Sequence, residues 1–429
     1  MKAVVSNRIY LEIAPEKFQE LDSALTYKID SYKRDAPPEI IKNLRKINSS
    51  LISIPSGRFD LIPEGYEIKD KRILVPAKFP EFKGTLRPSQ QEVYEQLDDC
   101  AIINAPVSWG KTFTGLSCAQ KLGQKTLIIT HKLFLRGQWE KEVKKVFGIA
   151  PGVIGSGKFE TDSPVVVGNI QTLYNVKEKI SKMFGTVIVD ECHHTPANTF
   201  NRLLDSSYAR YKIGLSATLR RKDGKHVILQ DYFGHTRFLP PKENQMTPSI
   251  DIIQSDIRFM DGGRIPWATR VNDLVGNEEY GKLISLLAAS YRRKGHKVLL
   301  LSDRVNFLKR VKETLGSYCE IITGEDKEDS REAKLKKIQA GEVDILLGTQ
   351  SIFAEGISVN PLSCLILAAP VSNAPLLDQL IGRVIRKHPG KMDPVIVDIN
   401  LKGKTAENQA KVRLGFYMQE GYKSNFIKV

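Results

Sequence analysis

The chain has 429 residues, of which 41% are hydrophobic and 26% charged, so it has the length of two or three ordinary globular domains. Because no stretch approaches the roughly 18 apolar residues of a membrane span and the first residues lack a signal-like apolar segment, we expect neither a membrane nor a secreted protein. Five scattered cysteines without a Cys-x-x-Cys pair indicate a reducing compartment, so we expect a cytosolic protein.

The charge balance points to a polyanionic partner. The chain carries 64 Lys and Arg against 49 Asp and Glu, a net charge of +15 and a pI near 9.4. Such a balance favours nucleic acid, because cationic side chains release counterions from phosphates on binding. The alternative is that the excess charge serves solubility alone.

Residues 1–84 differ in character from the rest of the chain. Strand-like S-N-R-I-Y-L-E-I is followed by helical-looking A-P-E-K-F-Q-E-L-D-S-A-L, which predicts a small α+β domain. A basic run with interleaved aromatics could grip duplex DNA, or it could be the solvated face of a docking domain. The members of this run are Tyr27, Lys28, Tyr32, Lys33, Arg34, Lys42, Arg45 and Lys46.

Two further segments alternate strands and helices. Short runs that are apolar at every residue, such as P-V-V-V-G-N and K-V-L-L-L-S-D, suit strands of a parallel sheet covered on both faces. Helix-forming segments such as L-R-G-Q-W-E-K-E-V-K-K-V-F separate them, which predicts two open α/β domains. We place these domains at residues 85–240 and 267–429, joined by a linker rich in Pro, Gly and polar residues at 241–266.

The segment N-A-P-V-S-W-G-K-T (residues 104–112) fits the phosphate-loop spacing G-x-x-x-x-G-K-[ST], with Ala105 in the first position. An apolar run precedes it and a helix-compatible run follows it, as the motif requires. In such loops the helix N-terminus and the loop amides bind phosphate, the lysine reaches the outer phosphates and the threonine ligates magnesium. A Gly-Lys-Thr tripeptide alone also occurs in surface turns.

Two carboxylates, Asp190 and Glu191, end the apolar strand T-V-I-V-D-E. One carboxylate at a strand's carboxyl end can hold magnesium and its neighbour can polarise an attacking water. A solvated loop pair is the alternative. We reject a zinc site in the following Cys192-His193-His194, because three adjacent residues do not readily converge on one ion.

The run Q-L-I-G-R-V-I-R (residues 379–386) supplies a third element. Gln379, Arg383 and Arg386 follow intervals of four and three, which predicts that they share one helix face. Such arginines can stabilise charge on a transferred phosphoryl group, or they can form a solvated basic stripe.

Six motifs in order along residues 85–399 together resemble those of the superfamily-two helicases. They are L-R-P-S-Q-Q (86–91), A-P-V-S-W-G-K-T (105–112), D-E-C-H (190–193), S-A-T (216–218), G-T-Q-S-I-F-A-E-G-I-S (348–358) and Q-L-I-G-R-V-I-R (379–386). The stretch L-S-A-T-L-R-R-K-D-G, the pair Gln138-Trp139 and N-I-Q-T-L are similar to the branch of XPB-type repair helicases, type III restriction motors and phage UvsW-type helicases. Size and the small basic N-terminal domain look most like the phage branch-migration helicases.

This resemblance implies two tandem RecA-like domains with ATP and Mg²⁺ in the cleft between them. The implied catalytic residues are Lys111, Asp190, the base Glu191, Gln379, Arg383 and Arg386, with Thr112 and Asp190 on the metal. The implied nucleotide contacts are Arg87, Gln90 (Gln91 if the register slips), Ala105, Ser108, Gly110, Lys111, Thr112 and Gly356. The residues implied to couple the ATP and nucleic-acid sites are His193, Ser216 and Thr218.

By the same resemblance, nucleic acid crosses the other faces of both domains without sequence preference. The implied contacts are Lys132, Arg136, Asn169, Gln171, Thr172, Ser302, Asp303, Thr323, Gly324 and Thr349. Each could instead be a loop residue that faces water. Three positions depart from the family pattern: Ser108 takes a glycine place, Thr130-His131-Lys132 stands where Pro-Thr-x is common, and Ser358 replaces an aspartate.

We therefore expect an ATP-dependent DNA helicase or translocase that remodels forks, displacement loops or four-way junctions, acting as a monomer without a membrane. A duplex translocase that separates no strands and an RNA-acting enzyme are the alternatives within the same class. A clamp that binds ATP without hydrolysing it is disfavoured by Lys111, Glu191 and Arg386.

Overall fold

The computed structural model describes residues 1–29, 37–194, 198–219, 224–263, 265–354, 359–371 and 373–429. The chain divides into two compact units, Met1–Lys242 and Glu243–Val429. Within the described ranges, no helix combines the length and the apolar character that crossing a membrane requires.

The first unit begins with a five-stranded mixed sheet, the N-terminal sheet. The elements of this segment are β1 (Lys2–Val5), β2 (Arg8–Glu12), α1 (Pro15–Ala24), β3 (Thr26–Ile29), β4 (Glu39–Lys42), β5 (Arg45–Lys46), β6 (Leu51–Pro55) and β7 (Glu67–Asp70). The strand order is β5-β6-β2-β1-β7, in which β7 pairs parallel to β1 and the other pairs are antiparallel. Ile9, Leu11, Ile52 and Ile54 pack in its own core, as expected for a small α+β domain.

An eight-stranded sheet forms the rest of the first unit, in the order β11-β10-β12-β9-β13-β14-β8-β15. Its strands pair in parallel except β10 with β11. The elements are α2 (Pro88–Gln96), β8 (Ala101–Asn104), α3 (Lys111–Leu122), β9 (Thr126–Thr130), α4 (Leu133–Phe147), β10 (Gly152–Gly155), β11 (Lys158–Phe159), β12 (Val165–Asn169), α5 (Ile170–Asn175), α6 (Lys177–Ile180), β13 (Thr186–Asp190), α7 (Asn198–Ser206), β14 (Tyr211–Ser216), α8 (Gln230–Phe233) and β15 (Arg237–Phe238).

Helices cover both faces of this sheet, which explains why its central strands are apolar throughout. Every residue of β12 and β13 is buried. Successive strand residues point to opposite faces, so Ile103 packs with α3 and α4 while Ile102 packs with α5 and α7. The predicted parallel sheet is confirmed.

The second unit holds a seven-stranded sheet in which each pair is parallel, in the order β18-β19-β17-β20-β21-β16-β22. Its elements are β16 (Ser249–Arg258), α9 (Trp267–Gly276), α10 (Glu278–Arg293), β17 (Val298–Leu301), α11 (Val305–Leu315), β18 (Cys319–Ile322), α12 (Glu328–Ala340), β19 (Ile345–Gly348), α13 (Gln350–Ala354), β20 (Cys364–Leu367), α14 (Ala374–Ile381), β21 (Val395–Lys402), α15 (Lys404–Gln419) and β22 (Lys423–Lys428). The fold class, two RecA-like parallel-sheet lobes preceded by a small mixed sheet, is confirmed.

The segment expected to be a linker contains a strand. Residues 249–258 form β16, which lies between β21 and β22 in the second sheet. Its Ile250, Ile252 and Ile253 are buried, so their apolar side chains place it in the sheet. The Pro and Gly residues that suggested a linker lie on either side of this strand.

Candidate functional site

The carboxyl edge of the first parallel sheet collects the motifs of the first unit. The phosphate loop follows β8, Asp190 ends β13 and Ser216 ends β14, and these three strands are neighbours. Register places Asp190 beside Leu215 and Ser216 beside Asn104. The adjoining half of the same edge, formed by β9, β12 and β10, leads into the residues predicted to contact nucleic acid. A single sheet edge thus presents both sets of motifs side by side.

The phosphate loop has the backbone conformation of an anion-binding turn. Ser108 and Gly110 have positive φ angles of 69° and 95°, and α3 begins directly afterwards at Lys111. Consecutive amides in such turns, together with a helix N-terminus, form a concave anion site. Nζ of Lys111 donates to the carbonyl oxygen of Ala105 at 3.2 Å, which keeps its charge at the loop. Ala105 is buried and Thr112 is half-buried.

Helix α2 holds the loop from the other side through Trp109. Nε2 of Gln90 donates to the carbonyl oxygen of Trp109 at 2.8 Å, and the Arg87 guanidinium donates to the same oxygen. The Trp109 indole N–H donates to Oγ of Ser89 at 2.8 Å. The Gln91 side chain is exposed and donates to Glu95 on the same helix, so Gln90 is the glutamine that faces the loop.

No role for Trp109 could be predicted from the sequence, and the structure shows that this residue is fully buried. An aromatic residue inside a phosphate loop indicated that it packs against something, but its partner Ser89 lies 20 residues earlier in the chain. Gly110 is equally constrained, because a methyl group at its Cα would lie 2.6 Å from Nε2 of Gln90.

The two adjacent carboxylates differ in their surroundings. Oδ2 of Asp190 accepts a hydrogen bond from Nε1 of Trp139 at 2.8 Å, and Oδ1 accepts one from the Glu191 amide at 3.0 Å. Burial, and next the charge of Glu191, raise the pKa of Asp190. Burial acts in the same direction on Glu191, but the hydrogen bond from His193 and the charge of Lys111 outweigh it and lower the pKa of that carboxyl. Glu191 also has a left-handed φ of 50°, a costly backbone state that often occurs at functional sites.

These groups fit magnesium. A buried carboxylate with a raised pKa is an oxygen donor that a divalent cation would stabilise in its ionised form, and the Thr112 hydroxyl is a second oxygen donor on the neighbouring element. In the described part of the chain, no cluster of three or more His, Cys, Asp or Glu side chains is arranged to hold a metal. Cys192 is buried, while His193 and His194 stack with ring centroids 4.2 Å apart.

The three residues expected to couple the sites lie together. Nδ1 of His193 is 2.8 Å from Oγ of Ser216 and 3.3 Å from Oε2 of Glu191. The Ser216 hydroxyl donates to the carbonyl oxygen of Thr218 at 2.9 Å, so it accepts from His193, whose Nδ1 therefore carries the proton. The close contact of His193 with Glu191 and its hydrogen bond to Ser216 connect Glu191 to the end of β14.

The expected nucleic-acid contacts of the first unit occupy the neighbouring stretch of the edge, with different exposures. Lys132 and Gln171 are exposed, and Thr172 is half-buried. The Arg136 guanidinium donates to Oγ of Ser156 at 3.2 Å and pairs with Glu140 at 2.9 Å. Asn169 is buried and its side chain accepts from the Gln171 amide, so it caps α5.

The corresponding residues of the second unit follow three adjacent strands. Ser302, Thr323 and Thr349 come directly after β17, β18 and β19, and Gly348 pairs with both Leu301 and Ile322. All three residues are buried. The solvent-facing members are Gly324 and Asp303, and Oδ1 of Asp303 accepts from the Gln350 amide at 2.9 Å.

The prediction that Gln379, Arg383 and Arg386 share one helix face is wrong. Helix α14 ends at Ile381, so only Gln379 is helical. Arg383 lies in the following turn, and Arg386 forms a β-bridge with Gln245. Gly382, a poor helix former, ends the helix, and burial of the β-branched residues that follow favours a non-helical path. Gly356 and Ser358 lie outside the described residues.

The basic run of the N-terminal segment contributes to an interface with the first parallel-sheet lobe. Tyr27 donates to Oδ1 of Asp231 at 2.8 Å, and Arg45 pairs with Asp205. Lys28, Lys42 and Lys46 are exposed, while Tyr32, Lys33 and Arg34 lie outside the described residues.

Buried ion pairs complete this N-terminal interface, which comprises Arg8, Tyr27, Asn43, Arg45, Ser56 and Arg58 on one side and Asp205, Lys212 and Asp231 on the other. Arg8 contacts Asp205 at 2.9 Å and Arg58 contacts Asp231 at 3.3 Å. Asp205 lies on α7, downstream of Asp190 and Glu191. The interface therefore holds an element that follows the paired carboxylates.

Comparison with known proteins covers both lobes. Residues 83–221 match the family described as type III restriction enzyme, res subunit, and residues 278–388 match the helicase conserved C-terminal domain. The chain is 42% identical to a probable helicase of Escherichia phage T5, over 99% of this chain and 96% of that protein.

Two further similarities are more distant. The ATP-dependent DNA helicase uvsW of Enterobacteria phage T4 is 26% identical, over 75% of this chain and 70% of that protein. The crystal structure of the Pyrococcus furiosus Hef helicase domain has a TM-score of 0.53 and 15% identity, and the match covers 76% of this chain and 97% of that one. That structure supports the fold.

Proposed function

Because the chain belongs to the superfamily-two helicases, enzymes that use ATP with Mg²⁺, we propose that it remodels branched DNA, such as forks, displacement loops and four-way junctions. The observation that carries the proposal is the carboxyl edge of the first parallel sheet. There the phosphate loop and paired carboxylates adjoin exposed polar and basic residues that suit a phosphate backbone.

On the nucleotide side, the loop amides and Lys111 bind the phosphates, and α2 presents Gln90 to the base. Glu191 accepts a hydrogen bond from the attacking water and polarises it, since its lowered pKa keeps it ionised. Arg383 and Arg386 stabilise charge on the transferred phosphoryl group.

Asp190 and Thr112 would hold a magnesium ion, which would neutralise charge on the phosphate oxygens. The Trp139 indole and the Glu191 amide orient the Asp190 carboxylate for this task. His193 contacts Glu191 and hydrogen-bonds to Ser216, which in turn donates to Thr218. A movement of Glu191 is therefore transmitted to the end of β14.

On the nucleic-acid side, the first unit offers Lys132, Arg136, Gln171 and Thr172, and the second offers the loops after β17, β18 and β19. Hydroxyl, amide and cationic groups of this kind bind phosphates, so binding is independent of sequence. The net charge of +15 supports a polyanionic substrate.

Two features support DNA rather than RNA. The first lobe matches a restriction-enzyme family, and the similar phage T4 protein is described as a DNA helicase. A cytosolic site of action, in phage-infected bacteria, agrees with five free cysteines and with the similarity to phage proteins.

A synthetic four-way junction with one labelled strand tests this function. The wild type with ATP and Mg²⁺ should convert the junction into duplex products, while Glu191→Gln should bind the junction and leave it intact. If the wild type leaves junctions and forks intact but displaces the third strand of a DNA triplex, the protein is instead a duplex translocase. Unwinding of RNA duplexes alone would contradict the DNA assignment.

A further inference from the structure

Helix α4 contains a buried tryptophan, Trp139, whose indole N–H donates a hydrogen bond to Asp190, the carboxylate proposed to bind magnesium. Trp139 is 1% exposed, and its Nε1 lies 2.8 Å from Oδ2 of Asp190. An indole N–H can only donate and a carboxylate oxygen accepts, so the bond holds the Asp190 carboxylate in one orientation.

The indole ring is also fixed by packing. Gly115, on the helix that follows the phosphate loop, faces it so closely that a methyl group at Gly115 would lie 3.5 Å from Cη2 of Trp139 and 3.2 Å from Cδ1 of Leu215. Trp139 thus contacts α3 through its ring and β13 through its N–H. A shift of α4 would therefore move the donor relative to the Asp190 carboxylate.

The same helix bears residues proposed to touch nucleic acid. Lys132 is the residue before its first turn, and Arg136 lies three residues before Trp139, one turn away. Arg136 reaches Ser156 after β10 and Glu140 on its own helix. The exposed end of α4 and its buried Trp139 are thus parts of one rigid element of 15 residues.

We propose that Trp139 is a positioning residue that holds the Asp190 carboxylate in place and, through α4, ties that carboxylate to nucleic-acid contacts at Lys132 and Arg136. This inference rests on the proposed function and states how nucleic acid would regulate ATP turnover. Nucleic acid that engages the start of α4 stabilises the helix position in which the indole bonds to Asp190. Magnesium binding and ATP turnover then rise together.

The test separates the N–H from the ring. Trp139→Phe keeps an aromatic side chain and removes the donor, and incorporation of 3-benzothienylalanine at position 139 keeps the bicyclic shape with sulfur in place of N–H. Trp267→Phe is the matched control, because Trp267 is 44% exposed and packs on Phe259 in the second unit. Thermal unfolding of each variant shows whether it is folded.

Two measurements are made: Mg²⁺ binding to the ADP-bound protein by isothermal titration calorimetry, and ATP turnover against Mg²⁺ concentration with and without single-stranded DNA. Loss of a hydrogen bond to a charged group should raise the half-saturating Mg²⁺ concentration about tenfold in both Trp139 variants. The KM for ATP at saturating Mg²⁺ should change less than about twofold, since the phosphate loop is untouched. The ratio of DNA-stimulated to basal turnover should fall towards one, while Trp267→Phe retains both wild-type values.

Wild-type Mg²⁺ dependence and DNA stimulation in the benzothienylalanine variant would overturn the inference and leave the proposed function standing. A raised Mg²⁺ requirement with undiminished DNA stimulation would overturn the tie to nucleic acid. A wild-type protein whose turnover does not respond to DNA would instead contradict the proposed function itself.

Discussion

The side chain of Gln90 donates from Nε2 to the carbonyl oxygen of Trp109 at 2.8 Å, while its Oε1 accepts from the Arg87 amide at 3.0 Å. One amide therefore bridges the start of α2 to the phosphate loop. Gln90 is 3% exposed, whereas the side chain of the adjacent Gln91 is exposed and donates to Glu95. The two neighbouring glutamines form a natural pair for comparison.

Gln90→Ala should raise the KM for ATP about tenfold, because the buried Trp109 carbonyl loses a donor and the loop loses a support. Gln91→Ala, the control, should leave KM within about twofold of wild type, since it removes only a surface hydrogen bond. Steady-state ATP hydrolysis with saturating DNA measures both. Equal effects in the two variants would show that Gln90 does not serve the nucleotide site.

Ser108 has a φ of 69°, in the region that costs a non-glycine residue about 1 kcal/mol. Ser108→Gly should therefore stabilise the loop, while Ser108→Val should destabilise the protein by more than about 1 kcal/mol, because a β-branched residue tolerates this region poorly. Chemical denaturation measures the free energy of unfolding of each variant. The two substitutions should change the free energy of unfolding in opposite directions. A Ser108→Gly variant that is less stable than the wild type would show that the backbone of Ser108 is not strained.

Asp205 pairs with two arginines of the N-terminal interface, Arg8 and Arg45. Asp205→Asn should lower the free energy of unfolding by about 3 kcal/mol, because it leaves the buried Arg8 guanidinium without an anionic partner. Asp22→Asn breaks the exposed pair with Lys42 and should cost less than about 1 kcal/mol. Denaturant melts that show equal losses would mean that the interface pair contributes no more than a surface pair.

Lys212 makes stability depend on pH in a predictable direction. Burial lowers its pKa from 10.5 to about 8 in the folded protein. Between pH 8 and 10.5 the unfolded chain keeps a proton that the folded protein has lost, so the contribution of Lys212 to the free energy of unfolding rises with pH, by ~3 kcal/mol in all. Below pH 8 both states are protonated and the contribution is constant.

Lys212→Met should remove this dependence. Denaturation at pH 7.5, 9 and 10 gives the free energy of unfolding of each protein. The value for the wild type minus the value for the variant should increase as the pH rises. Other groups titrate alike in both proteins and cancel in the difference. A pH-independent difference would show that Lys212 keeps its ordinary pKa in the folded state.

Patterns local in the chain predicted much of the fold and the nucleotide side of the site. The phosphate loop at Lys111, the strand ending in Asp190 and the parallel sheets all follow from runs of fewer than about ten residues, in which period and residue type carry the information. The strand β16 was missed because the Pro, Gly and polar residues on either side of it were given more weight than its buried isoleucines.

Contacts between distant residues could not be predicted. Trp139 and Asp190 are 51 residues apart, and Arg8 and Asp205 are 197 apart, so no local period relates them. The prediction that the helix continues to Arg386 was wrong for a different reason. Helical spacing was present, but Gly382 and the burial of Val384 and Ile385 favoured a turn, so tertiary packing overrode the pattern.

The most direct test of the central claim is ATP turnover without polynucleotide and with single-stranded DNA, duplex DNA, a four-way junction and RNA, using Glu191→Gln as the blank. We predict that branched or single-stranded DNA stimulates turnover most, that RNA stimulates it little, and that Glu191→Gln is inactive with every polynucleotide. Strongest stimulation by RNA, or wild-type turnover in Glu191→Gln, would contradict the account.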